Sequence, residues 1–144
     1  MELQNHYDKL ARMYLNAHTN GYYKPAIRIS KGKAEIDITV SEQFFHSAGA
    51  VHGSVYFKVL DDAAYFAASS VIRDAMIVTA SFNLYFIRPI TKGVMHGAGT
   101  LAHRASRLII VESKIVDDSG TVIAQGSATF MKTDIALDEK VGYF

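Results

Sequence analysis

Between Val51 and Arg73 the chain carries no proline and is apolar around most of a helical circumference, from Val55 and Tyr56 through Leu60, Ala63 and Phe66 to Ile72. Such a stretch predicts a long helix that must be covered on nearly every side. On both flanks the hydrophobic period changes to two. Ile27 and Ile29 alternate with Arg28 and Ser30, and beyond the turn Lys31-Gly32-Lys33, Ala34, Ile36, Ile38 and Val40 alternate with Glu35, Asp37 and Thr39. This is the pattern of a hairpin of half-buried strands. Downstream, Val78, Ala80, Phe82, Leu84 and Phe86 alternate with Thr79, Ser81, Asn83 and Tyr85, and Pro89 closes that strand. Residues 94–105, 107–117 and 121–133 predict three more strands, with Asp117-Asp118-Ser119-Gly120 as a hairpin turn. Ahead of all this, Leu3, Tyr7, Leu10, Ala11, Tyr14 and Ala17 predict a short amphipathic helix over residues 2–18, ended by Asn20-Gly21. Residues 41–50 and 134–144 have no period. A buried helix needs cover and a half-apolar sheet needs a face covered, so the expected class is α+β, with an antiparallel sheet wrapped around one helix.

At 144 residues the chain is expected to be a single domain, 1–144. Its 15 basic and 14 acidic residues leave a net charge of +1, which gives no reason to expect a nucleic acid or an anionic membrane as partner. Charged residues make up 20 % of the chain against about 25 % in ordinary soluble domains, so more surface is expected to be buried than one subunit supplies, in an oligomer. The absence of cysteine excludes disulfides, a thiolate nucleophile and cysteine-ligated metals. The opening MELQNHYDKL lacks the pattern of a secretory signal. The uncharged run Ala63–Ile72 is far short of the roughly 20 residues of a membrane span. The expected location is the cytoplasm.

His-Glu-x-x-His, Gly-x-Ser-x-Gly and the phosphate-binding loop are all missing. Gly97-Ala98-Gly99-Thr100-Leu101-Ala102 loosely fits a dinucleotide fingerprint, but it falls inside an expected strand and does not open a helix. The informative segment is Gly49-Ala50-Val51-His52-Gly53-Ser54, where the long helix begins. The first N–H groups of a helix lack internal partners and carry partial positive charge. A glycine there allows a ligand atom to reach the backbone, and a carbonyl turning into an oxyanion could be held. The same residues also describe an ordinary capped helix start. Within the helix, Asp61 and Asp62 point about 100° apart. Asp62 has Lys58 one turn back, the spacing of a solvated ion pair, whereas Asp61 lies between Phe57 and Tyr65. Apolar surroundings raise a carboxyl pKa and make a general base or a poorly solvated nucleophile; the alternative is a surface charge doublet. His46 and His52 flank the glycine segment, but no further ligands accompany them, so no metal is expected. His6, His18, His96 and His103 are expected in solvent-facing or packing roles.

These residues resemble a family. From about Ala34 to Lys132 the chain is similar to hotdog-fold acyl-CoA thioesterases of the PaaI-like, phenylacetate-degradation group. Gly49-Ala50-Val51-His52-Gly53-Ser54 resembles the family's Gly-x-x-His-Gly-Gly, and Asp61 stands nine positions after His52, where the family has its acidic residue. Phe86-Ile87-Arg88-Pro89-Ile90 resembles its aromatic-x-Arg-Pro strand end, and Asp118-Ser119-Gly120-Thr121-Val122-Ile123-Ala124-Gln125-Gly126 its closing hairpin. The resemblance implies a curved antiparallel sheet wrapped on the long helix, in a homodimer or a dimer of dimers. It implies that the Gly53 N–H polarises a thioester carbonyl, that Asp61 of the facing subunit acts as nucleophile or general base, that Thr79 positions water, and that His52 orients the substrate. Arg88, with Arg104 or Arg107, would contact the CoA phosphates; alone, each also reads as a solvated strand-end cation. Two positions depart from the family pattern. His46 replaces an amide residue and brings a group that titrates near neutral pH, and Ser54 replaces the second glycine, where it narrows the backbone approach or caps the helix.

The expected function is hydrolysis of an acyl-CoA thioester to free acid and CoA, with no cofactor. The alternative is a non-catalytic acyl-CoA-binding module, a sensor or carrier-protein partner, which the departures at His46 and Ser54 favour and the intact Asp61 opposes. A dehydratase or hydratase on the same fold would need a His-Phe-Pro-Gly type loop, which is missing.

Overall fold

In a computed structural model, which describes residues 2–144, helix α1 (Glu2–Leu15) and a short α2 (Asn20–Tyr23) lead into β1 (Ala26–Ser30) and β2 (Lys33–Thr39). Helix α3 (Gly53–Ser69) follows, then β3 (Ala75–Phe86), β4 (Val94–Arg104), β5 (Leu108–Val116) and β6 (Val122–Ala136). The six strands form one antiparallel sheet in the order β1-β2-β4-β5-β6-β3. The sheet curves around α3, which packs on every strand of it, most extensively on β4, β2 and β5. Val59, Leu60, Ala63, Ala64 and Ala67 of α3 are fully buried against Ile36, Ile38, Met95, Val111 and Phe130. This is the α+β arrangement that the alternation and the long apolar helix predict. Among the described residues, no helix is long and apolar enough to cross a membrane.

Gly97 and Gly99 of β4 face the helix. A methyl group at Gly97 would strike the Val59 side chain, and one at Gly99 would strike the Ala63 carbonyl. The glycines of the loose dinucleotide fingerprint therefore serve packing. They let a helix backbone approach a strand more closely than any side chain would allow.

Four features differ from the sequence expectation, each for a visible reason. First, α1 ends at Leu15, and Asn20-Gly21 starts α2 where it was expected to end the first helix. The buried Asn20 donates its side-chain N–H to the Tyr14 carbonyl at 2.7 Å, folding the chain back at a tight corner. Second, α3 stops at Ser69, short of Arg73, and there the Ser70 hydroxyl donates to the Ala67 carbonyl at 2.7 Å and accepts from the Gly32 N–H at 2.8 Å. Third, β6 runs past Thr133 to Ala136 because its end pairs with Ala75. Fourth, β3 does not alternate strictly. A bulge lies between Thr79, opposite Phe130, and Ser81, opposite Thr129. Before it the buried Ile77 faces the helix, after it Phe82 and Leu84 do, and Val78 is left 47 % exposed.

Candidate active site

The start of α3 is built by two histidines. His52 has extended backbone angles (φ −63°, ψ 143°), and its Nδ1 accepts the Ser54 N–H at 3.0 Å, capping the helix. The Ser54 hydroxyl lies 2.8 Å from the same nitrogen, so it supports the cap and does not provide it. His46 holds its own loop similarly, its Nδ1 accepting the Ala48 N–H at 3.1 Å. With both Nδ1 atoms occupied as acceptors, the neutral rings carry their protons on Nε2. The rings lie 6.5 Å apart, centroid to centroid. Among the described residues no group of three or more His, Asp or Glu is placed to hold a metal ion. Gly53 is the first residue of α3, and an added Cβ would sit 3.0 Å from the Phe86 ring. His46, Gly53, Tyr56, Phe86 and Arg88 line a cleft of about 380 Å³. Tyr56 donates its hydroxyl to the Arg88 carbonyl at 2.7 Å and fixes the floor of this cleft.

Asp61 opens on a different cavity, also lined by Thr79, Tyr65 and Lys58. Thr79 donates its hydroxyl to Asp61 Oδ1 at 2.9 Å, a contact made possible by the inward phase of β3 ahead of the bulge. Among the described residues no hydrogen bond reaches Oδ2. Burial pushes the Asp61 carboxyl up to about 6, with a smaller push from Asp62; the Thr79 hydroxyl and the Lys58 ammonium pull the other way. Gly53 and Asp61 are eight residues apart on one helix, about 12 Å along its axis.

Asp62 is not the solvated ion pair that its spacing suggests. Lys58 lies 2.8 Å from Asp62 Oδ2, with both side chains less than one-fifth exposed, and the buried Tyr14 donates its hydroxyl to the same oxygen at 2.6 Å. The Lys58 ammonium also lies over the rings of Tyr14 and Tyr23. Burial and the neighbouring Asp62 hold the Tyr14 phenol well above its ordinary pKa. The cluster fastens α1 and α2 to α3. Asp62→Asn is therefore expected to cost about 1–3 kcal/mol of stability, read as a lower urea midpoint, and Tyr14→Phe to reproduce part of that loss. A midpoint unchanged in both variants would contradict this role.

The other predicted residues are divided between the two ends of the sheet. His46, His52, Gly53, Ser54 and Arg88 gather where α3 begins and β3 ends. Arg104 and Arg107 lie at the opposite end, where β4 turns into β5, with the Arg107 carbonyl accepting from Lys132 N–H at 3.0 Å. His6 is buried between the Tyr143 hydroxyl, 2.7 Å away, and the Ser69 carbonyl, 2.9 Å away. His96 bridges Asp37 and Asp118 at 2.9 and 2.8 Å. Sequence reasoning missed that the α1–α2 corner, including Met13, Ala17 and His18, walls the cavity beside Asp61. Only the amphipathic face of α1 hints at it.

The six-stranded antiparallel sheet curved around α3 is the hotdog fold, and comparison with known proteins agrees. Residues 48–124 match the thioesterase superfamily, more than half of the chain, and the chain belongs to that family. A Saccharolobus solfataricus protein named "Putative esterase SSO2140" is 30 % identical over 112 residues, which cover 76 % of this chain and 79 % of that protein. The structure of the E. coli PaaI protein from the phenylacetic acid degradation operon superposes with a TM-score of 0.84 at 18 % identity, covering 92 % of this chain and 96 % of that one; at this identity the likeness concerns the fold. A phenylacetic acid degradation-related protein from Ralstonia eutropha superposes with a TM-score of 0.77 at 25 % identity, covering 88 % and 98 %. The chain is thus a PaaI-like hotdog protein of a family of thioester hydrolases.

Proposed function

We propose that the protein hydrolyses acyl-CoA thioesters at sites shared by two copies of the chain, each site combining Asp61 of one protomer with Gly53 of the other. The observation that carries this reading is Asp61 itself: a half-buried carboxylate braced on one oxygen by Thr79, with a raised pKa, about 12 Å along its helix from Gly53, the first residue of α3. A second copy would bring the two together. The edge strand β3 supports such pairing. It is long, one of its sides has no partner among the described residues, and Val78, Tyr85 and Phe86 are 47, 63 and 59 % exposed. The Gly53 N–H, at the positive end of α3, receives the carbonyl oxygen as it gains charge. His52 and His46 present Nε2–H donors beside it. Asp61 takes a proton from water, or attacks the carbonyl itself to form an anhydride that water then opens. Either way a C–O bond forms, the C–S bond breaks, and CoA leaves as the thiol once it has taken up a proton.

A hydrolysis screen over a panel of acyl-CoAs, followed by thiol release and with Asp61→Asn as control, tests this reading. Release by the wild type, abolished in the variant, supports it. Binding of acyl-CoA without release favours the binding-module alternative. Arg88, which lines the Gly53 cleft, is proposed to contact a CoA phosphate, and Arg104 and Arg107 would reach one only from the other end of the sheet. Arg88→Ala is expected to raise KM for acyl-CoA by about tenfold with kcat little changed, the value of one charge-assisted contact. An unchanged KM in Arg88→Ala, Arg104→Ala and Arg107→Ala would remove arginine from CoA recognition.

A further inference from the structure

The cavity beside Asp61 measures about 750 Å³, within the usual range for small-molecule sites. It runs along one face of α3, since Lys58, Asp61, Asp62, Tyr65 and Phe66 follow the helical period over about 12 Å. Met76, Ile77 and Thr79 of β3 form a second wall. The remaining walls come from outside the family-matched residues 48–124: Met13 and Ala17 at the α1–α2 corner, and Val141 and Gly142 near the C-terminus. We infer, building on the proposed thioesterase reading, that this cavity receives an apolar acyl group whose thioester end lies at Asp61, and that Met13 and Ala17 determine how long a group is accepted.

Three features make these outer walls a built pocket. The corner is held from below, by Tyr14 on Asp62 and by Asn20 on the Tyr14 carbonyl. The tail is held as well. Tyr143 bonds to His6, which in turn donates to the Ser69 carbonyl, and Arg12 donates to the Phe144 carbonyl at 2.6 Å. The lining itself is mostly apolar away from Asp61 and Asp62. Of its polar members, Asn16, His18, Thr19, Glu139 and Lys140 are exposed, Lys58 is paired with Asp62 and Thr79 with Asp61, and Asn20 Oδ1, the one unpartnered buried side-chain acceptor among the described residues, is sealed from the open space. The two methionines supply unbranched, adaptable side chains suited to an acyl chain.

The test compares kcat/KM of wild type, Ala17→Leu and Met13→Ala across straight-chain acyl-CoAs from acetyl to dodecanoyl, with phenylacetyl-CoA added. Ala17→Leu is expected to lower kcat/KM for the longest accepted chains by about tenfold or more while sparing acetyl-CoA, because a pocket filled by added methylenes discriminates by chain length. Met13→Ala is expected to shift the preference the other way. Val141→Phe, from the opposite wall, should behave like Ala17→Leu and covers the case in which the corner variant fails to fold. Profiles that fall in parallel for all substrates would show a merely structural role and overturn the inference, leaving the hydrolase reading intact. A wild type that hydrolyses no acyl-CoA overturns both.

Discussion

Asp61→Asn is expected to lower kcat for acyl-CoA hydrolysis by at least about 10²-fold, the usual cost of losing a general base or nucleophile. Asn keeps the size and can still accept the Thr79 hydroxyl, so circular dichroism should show an unchanged fold. The contrast is Asp62→Asn, which should weaken the hold on α1 while leaving turnover close to wild type, because its carboxylate is committed to Lys58 and Tyr14. The wild-type pH profile adds a second readout. The ionised carboxylate is the active form, and burial raises its pKa to about 6, so kcat should rise as pH increases through that value and fall below it. Asp61→Asn should abolish that limb along with the rate. Equal, mild losses in both variants would favour the non-catalytic binding module.

Subunit mixing should give the second large effect. Gly53→Val places branched carbons against the Phe86 ring and across the helix start, and Asp61→Asn removes the carboxylate, so each variant alone should be nearly inactive. Co-expressed in equal amounts, they should recover about a quarter of wild-type activity. In an isologous dimer half of the molecules are mixed, and each mixed dimer has one site with both residues intact. No recovery, or a species of 15.9 kDa by light scattering at micromolar concentration, would mean that each chain works alone and would sink the shared site.

Much of this was legible in the residues because the signals were local. The Gly49–Ser54 segment marked the start of α3, and Tyr65, one turn on, marked the cavity wall beside Asp61, whereas Phe57 is exposed and packs on Phe82. What stayed hidden depended on distant parts of the chain. Asp62 looked solvated because nothing near it in sequence reveals that Tyr14 folds back onto it. Gly97 and Gly99 fell inside an expected strand without a visible reason, because the pressure of Val59 and Ala63 arises only once helix meets sheet. The hydrogen bond that turns Asn20 into a corner reaches back six residues, and it carried the chain past the expected end of the first helix into α2. The wall formed by Met13 and Ala17 had no motif to announce it.

The bulge in β3 has a consequence for how relatives are matched to this chain. One extra residue, Ala80, sits between two regular ladders, with Thr79 opposite Phe130 and Ser81 opposite Thr129. Deleting it would restore an ordinary ladder with both pairings intact, changing mainly the local twist of the strand. A protein lacking that residue would keep a hydroxyl beside its aspartate, yet a gap-free alignment from the Phe86 end would set Ala80 of this chain against it. The correspondence is found by looking across the sheet: the position to compare is the one that faces Phe130, whatever its count along the strand.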